Sequence, residues 1–173
     1  GTYEEGSHKV VPNSGCLIED KTASKITETI AKLLAKFKIY IYDEKSGRGF
    51  YRRTLVRVSS LTGDVMVVLV VTDPVFPGKK NFIKALRDIH PEISTVVLNV
   101  NTRHDSMILG NKSIVEFGRG YIIDGLLDKT FKITPTAFFQ INPFSAENLL
   151  LDIQNVYTAN KYLILPYGSG QKP

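Results

Sequence analysis

The sequence predicts an α+β fold: a largely antiparallel sheet with two flanking helices. The first observation behind this is an apolar stripe at Ile26, Ile30, Leu33, Leu34 and Phe37, with Lys25, Lys32 and Lys36 off that face, the pattern of an amphipathic helix. The second is a pair of β-rich runs within TLVRVSSLTGDVMVVLVV, separated by the turn Thr62-Gly63-Asp64, which reads as a hairpin. The third is element order. A helix, two strands, a second helix and then several strands suit an antiparallel-dominated α+β sheet.

Residues 1–20 read as irregular or short extended structure, punctuated by Gly6, Pro12 and Gly15. Residues 21–37 form the first helix. A turn-rich loop, residues 42–53, leads into the hairpin. Val65–Val71 is nearly all apolar, as a central strand covered on both faces requires. PGKKNFIKALRDIHPE gives the second helix, with Phe82, Leu86 and Ile89 on one face and Pro91 ending it. STVVLNVN is a third strand, and SMILGNKSIVEFG holds one or two short strands around the turn Gly110-Asn111. YIIDGLLDKTFKIT is a further hairpin-like pair. The last helix spans residues 143–157, with Leu149, Ile153, Val156 and Tyr157 as its apolar face. Tyr162 to Leu165 begins a fresh strand that meets Pro166 and a Gly-x-Gly turn, which is how a βαβ nucleotide-binding domain opens.

The 173 residues, 43% apolar and 23% charged, suit one globular domain or one domain plus part of another. The longest apolar run, Val65–Val71, is too short to cross a bilayer. One cysteine, Cys16, excludes an internal disulfide framework. No basic-then-apolar signal segment opens the chain, so a cytoplasmic protein without membrane partners is expected. The net charge of +5 permits an anionic partner without demanding one.

Chemistry-bearing patterns are few. Cys16 and His8 are the only soft ligands near each other, short of the three or four a metal site needs. His90, beside Pro91, reads as a cation at a helix C-terminus. No nucleophile elbow occurs, and Gly168-Ser169-Gly170 meets no phosphate-loop pattern. The run GRGFYRRTLVRV is more informative. It places Arg48, Arg52, Arg53 and Arg57 among Phe50 and Tyr51, and an extended strand puts Arg53 and Arg57 on one face. These residues suit phosphate clamping and base stacking, or equally a charged edge strand that resists mispairing. In ITPTAFFQINPFSAE, Asn142 suits a helix N-cap and Pro143 the first helical turn. Gln140 needs no such role. It ends an extended segment before a helix, where ligands gather in α/β architectures, and offers a donor and an acceptor. A backbone-bonded Gln is the other reading.

ITPTAFFQINPFSAENLL resembles the segment that enters the catalytic domain of the RNA (uracil-5-)-methyltransferase family, roughly Ser-Phe-Phe-Gln-Val-Asn. GSHKVVPNSGC, GRGFYRRTLVRVSSLTGDVMVVLV and NVNTRHDSMILGNKSI resemble further family segments in the same order, and the bacterial 23S ribosomal RNA branch is the most similar. The resemblance runs from the first residues to about residue 157. It implies S-adenosylmethionine as cofactor, methylation of uracil C5 after a cysteine thiolate attacks C6, and a cofactor contact at Gln140. It also implies ribosomal RNA as partner, gripped through Arg48, Arg52, Arg53 and Arg57 with Phe50 or Tyr51 stacking, and no DNA partner.

The departures are specific. The family's Asp-x-Tyr-Cys-Gly-x-Gly loop falls at residues 164–170, where Ile164, Pro166 and Tyr167 replace Asp, Tyr and Cys. The catalytic cysteine and general base have no counterpart. Cys16 matches one cysteine of a family iron–sulfur motif, and one thiolate cannot hold a cluster; such a cluster is expected only in a longer parent. The expectation is a central α+β domain over residues 1–132. Residues 133–173 come next as the first strand and helix of a truncated Rossmann-like methyltransferase domain, inactive by itself. The competing expectation is a non-catalytic RNA-binding module.

Overall fold

The structure, a computed structural model, describes residues 2–7, 10–11, 16, 18–44, 46–103, 105 and 107–160. Two short strands, β1 (Thr2–Tyr3) and β2 (Val10–Val11), pair antiparallel. Helix α1 (Lys21–Lys36) comes next. Asp20 caps it, its carboxylate accepting from the Thr22 and Ala23 N–H groups at 2.8 and 2.9 Å.

The main sheet has the order β3 (Tyr51–Val58), β4 (Val65–Val71), β5 (Ile93–Val100), β6 (Lys112–Phe117). The β3–β4 and β5–β6 pairs are antiparallel. The β4–β5 pair is parallel, because helix α2 (Lys79–Ile89) carries the chain back across the sheet between them. A separate hairpin, β7 (Ile122–Leu126) and β8 (Lys129–Ile133), leads to helix α3 (Pro143–Asn160). The expected α+β fold with a largely antiparallel sheet and two flanking helices is therefore present.

The uniformly apolar β4 is explained by burial on both faces. Val65, Val67, Leu69 and Val71 pack with Ile26, Ile30, Phe82 and Leu86 of the helices. Met66, Val68 and Val70 pack instead with Ile122 and Ile133 of the second hairpin. All seven β4 residues are fully buried. Helix α2 differs from expectation at its end. Ile89 is 56% exposed and Ile83 is buried with Phe82 and Leu86. The buried place after the last turn goes to His90, whose ring bonds Thr29 Oγ1 of α1 at 2.7 Å and Glu92 at 3.0 Å. His90 thus stands at the α2 C-terminus, as expected, and also bridges to α1.

The NVNTRHDSMILGN run is a structural clamp. Asn99 is fully buried. Its amide donates to the Gly110 carbonyl at 3.0 Å and accepts from the Gly110 N–H at 2.7 Å. Asn101 donates to the carbonyls of Met107 and Ile108 and accepts from the Arg103 N–H. Two buried amides thereby satisfy the backbone of a loop that has no ladder to join.

Tyr51 opens β3 inside the core, 4% exposed, with its hydroxyl 2.7 Å from Thr54 Oγ1. Burial pushes its phenol well above the ordinary range. Above about pH 10 the unfolded chain's tyrosine loses its proton while the buried one keeps it, so stability falls as pH rises. Tyr51→Phe is expected to flatten that alkaline limb in urea titrations run from about pH 8 to 11. An unchanged slope would remove Tyr51 as its source.

Candidate nucleic-acid interface

The β3 strand carries the arginines. Its register slips between Tyr51 and Arg53, a bulge at Arg52, and then pairs Arg53 with Val70 and Arg57 with Met66. Arg53 and Arg57 therefore share the face turned toward the second hairpin, as an extended strand requires. Each is already engaged. Arg53 bonds Glu44 at 3.2 Å. Arg57 is half-buried and donates to the Ala137 carbonyl at 2.7 Å, tying the sheet to the segment before α3. Burial lowers its pKa, and its buried Nε finds no acceptor among the described residues. Arg52 donates to the carbonyls of Asn101 and Arg103 and lies 4.4 Å from the Tyr42 ring centroid. Arg48 is exposed at the loop tip between Gly47 and Gly49.

The two aromatics of that run turn inward. Tyr51 is core, as above. Phe50 packs edge-on against Phe76, ring centroids 5.1 Å apart. Neither ring lies open to a base, because the chain enters β3 against the helix-covered face. A second Gly-Arg-Gly-aromatic run, Gly118-Arg119-Gly120-Tyr121, leaves its ring partly buried and outside both core clusters. Arg119 and Lys132 lie 5.2 and 4.2 Å from that ring's centroid. This run is absent from the residues expected above to meet RNA, although its likeness to residues 47–50 is plain in the sequence.

Gln140 lies in an irregular segment between β8 and α3, not at the end of a strand as expected, because β8 already ends at Ile133. Asn142 caps the helix, accepting from the Ser145 N–H at 3.1 Å, and Pro143 is its first residue. Glu147, in the second turn, accepts from the Leu127 N–H at 2.7 Å, where the β7–β8 turn passes through positive φ. Gln140 is exposed, and its amide makes no hydrogen bond among the described residues. It lines an open cleft of about 380 Å³ with Phe138, Phe139, Asn142, Ser145 and Leu149. Phe138 is 86% exposed, and Leu149, Leu151 and Ile153 of α3 also stand out in solvent.

Cys16 is a free, half-exposed thiol. Among the described residues no three His, Cys, Asp or Glu side chains cluster to hold a metal, and no helix is long and apolar enough to cross a membrane. His8 and the glycine-rich stretch at 164–170 lie outside the described residues.

No family model matches the chain. Among curated proteins, an RNA methyltransferase of Caldanaerobacter subterraneus subsp. tengcongensis, named as uncharacterized, is 39% identical over 149 residues, 86% of this chain and 33% of the relative. One from Oceanobacillus iheyensis is 38% identical over 150 residues, again 86% of this chain and 33% of the relative. One from Listeria innocua is 30% identical over 169 residues, 96% of this chain and 37% of the relative. The chain thus spans about a third of the length of these relatives. Among solved structures, the Pyrococcus abyssi tRNA (uracil-54, C5)-methyltransferase in complex with S-adenosyl-L-homocysteine shares the fold. Its TM-score is 0.71 at 24% identity, over 88% of this chain and 36% of that one. By sequence the chain is thus similar to these RNA methyltransferases over most of its own length and about a third of theirs.

Proposed function

We propose that this chain is the RNA-docking part of an S-adenosylmethionine-dependent (uracil-5-)-methyltransferase that acts on 23S ribosomal RNA. The observation that carries this reading is the identity with RNA methyltransferases over 149 residues. The fold shared with a uracil-C5 enzyme supports the choice of base. In this reading residues 1–132 are the docking domain and residues 133–173 open the methyltransferase domain.

The cleft beside α3 fits one edge of the cofactor. It offers an aromatic and aliphatic wall and an amide with both a donor and an acceptor. Among the described residues no charged side chain lines it, so the groups that hold a ribose or an amino acid moiety come from elsewhere. When bound, S-adenosylmethionine would supply an electrophilic methyl group to uracil C5. Gln140 orients it through its amide; Asn142 and Glu147 fix the start of α3 and so the position of Gln140. In this reading a cysteine thiolate attacks uracil C6, and no residue of this chain is assigned that role. Arg48 and Arg53 hold phosphate at the exposed end of β3, Arg53 exchanging Glu44 for it. Arg52 and Arg57 position the neighbouring loop and linker.

Calorimetry with S-adenosylmethionine is expected to show no micromolar binding to this chain. Deleting its gene is expected to remove one 5-methyluridine from 23S ribosomal RNA, read by mass spectrometry of nuclease digests. Micromolar binding would overturn the one-wall reading of the cleft. Unchanged 5-methyluridine in ribosomal RNA would overturn the proposed substrate.

A further inference from the structure

The two Gly-Arg-Gly-aromatic runs are built alike and end differently. In the first, Gly47 and Gly49 adopt φ of 68° and 115°; in the second, Gly118 and Gly120 adopt 74° and 76°. Positive φ in both flanking residues is strained for any side chain, so glycine is required on each side of the arginine. At Gly118 a Cβ would also stand 2.0 Å from the Ser94 carbonyl oxygen, so the turn presses directly on β5. Thr95, fully buried, locks it further. Its hydroxyl donates to the Phe117 carbonyl and accepts from the Gly120 N–H, both at 2.8 Å. The turn is fixed at both ends, and Arg119 is presented at its tip with its side chain 55% exposed.

The aromatic after each turn distinguishes the two copies. Tyr51 is buried and Phe50, partly buried, packs against the main core, whereas Tyr121, also partly buried, belongs to neither core cluster and lies beside the β7–β8 hairpin. Lys132, exposed on β8 opposite Ile123, brings its ammonium 4.2 Å from the Tyr121 ring centroid and makes no ion pair among the described residues. Arg119 lies 5.2 Å from the same centroid and bonds Asp64 of the β3–β4 turn at 3.1 Å. That pair is exposed enough for a phosphate to replace the carboxylate at little cost.

We propose that the Gly118–Tyr121 turn and Lys132 form a contact site for single-stranded RNA, in which an unpaired nucleobase stacks on Tyr121 and its flanking phosphates bind Lys132 and Arg119. This rests on the RNA-methyltransferase reading above, and it moves the stacking residue from β3 to the second hairpin. A ring with two cations beside it matches the alternation of base and phosphate along an unpaired strand. The cations now lying at the ring's face are released to phosphate when a base takes their place. A turn held by two obligatory glycines and a buried threonine needs no ordering on binding, which removes part of the entropic cost of association.

The test is fluorescence anisotropy of the whole chain with a labelled oligouridine of about 12 nucleotides over a salt series. Tyr121→Ala is expected to weaken binding about fivefold to a hundredfold, with the salt dependence unchanged, as loss of one stacked base predicts. Tyr121→Phe is expected to bind as the parent does, because the ring and not the hydroxyl is used. Lys132→Ala is expected to reduce the slope of log affinity against log salt by about 0.7, one phosphate contact on a single strand. Circular dichroism melts check that each variant is folded; Tyr121→Phe and Lys132→Ala keep the ring in place and decide the matter if Tyr121→Ala is not. Parent chain that binds the oligonucleotide while Tyr121→Ala and Lys132→Ala bind equally well would overturn this site and leave the proposed function standing. Parent chain that binds neither oligouridine nor ribosomal RNA would overturn both.

Discussion

Asp124→Ala is expected to lower stability by about 3–4 kcal/mol and the melting temperature by about 10 °C. Asp124 is buried on β7, 4% exposed. Its Oδ1 accepts from the Ser59 hydroxyl at 3.2 Å, the Ser60 N–H at 3.1 Å, the Ser60 hydroxyl at 2.9 Å and the Leu61 N–H at 3.2 Å. The Gly125 N–H adds a further bond at 2.8 Å. Truncation removes the shared acceptor; the Ser59 hydroxyl, on a residue 3% exposed, is left without it in the interior, while Ser60 and Leu61 lie at the surface, and each unsatisfied buried group costs about 1–3 kcal/mol before relaxation. The substitution also unhooks the β7–β8 hairpin from the β3–β4 turn, and with it the surface that carries Tyr121 and Lys132. Asp124→Asn keeps an acceptor oxygen and should lose less than half as much. Urea denaturation of the three proteins checks the order. An alanine variant within about 1 kcal/mol of the parent would show that the hairpin is held by Ile122 and Ile133 alone.

Gly110→Ala should be at least as damaging, with a loss above about 3 kcal/mol or failure to fold. A Cβ at Gly110 would stand 1.9 Å from the Val100 carbonyl oxygen and 2.8 Å from the Asn101 Cα. Both obstacles are backbone of β5 and its continuation, which no rotamer change can clear. The movement needed would also break the paired Asn99 hydrogen bonds to Gly110. Gly63→Ala is the control. Gly63 has φ of 73° but open space around its Cβ position, so only the backbone strain of about 1–2 kcal/mol applies. Equal midpoints for the two variants in urea would remove the close approach as the reason for glycine at position 110.

Helix α1 and the central hairpin were legible because burial imposes periodicity, whereas the apolar face expected for α3 at Leu149, Ile153 and Val156 is exposed. Ile26, Ile30, Leu33 and Leu34 keep the 3.6-residue stripe that α1 buries, and β4 lacks alternation because both of its faces are covered. The Asn142 cap and Pro143 start were legible from local chemistry, since a cap is satisfied within its own turn. The residues proposed to meet RNA were less so. Arg48, Phe50, Tyr51, Arg52, Arg53 and Arg57 stand in one short run, yet Phe50 and Tyr51 point inward and Arg52, Arg53 and Arg57 have partners in loops and linkers, two of them far along the chain. A side chain's partner across the fold leaves no mark on its immediate neighbours in sequence.

The sequence by itself determined the α+β class, the central apolar strand, the capped start of α3 and, through its segment-by-segment likeness, the methyltransferase relationship. All of these depend on local propensity, on periodicity or on inheritance, and each is written in consecutive residues. Only the tertiary structure decided which Gly-Arg-Gly-aromatic run packs its ring against the main core. The local turn is the same at Arg48 and Arg119. The fate of the next aromatic depends on which face of which sheet lies beneath it: the helix-covered core at Phe50, the open edge of the second hairpin at Tyr121.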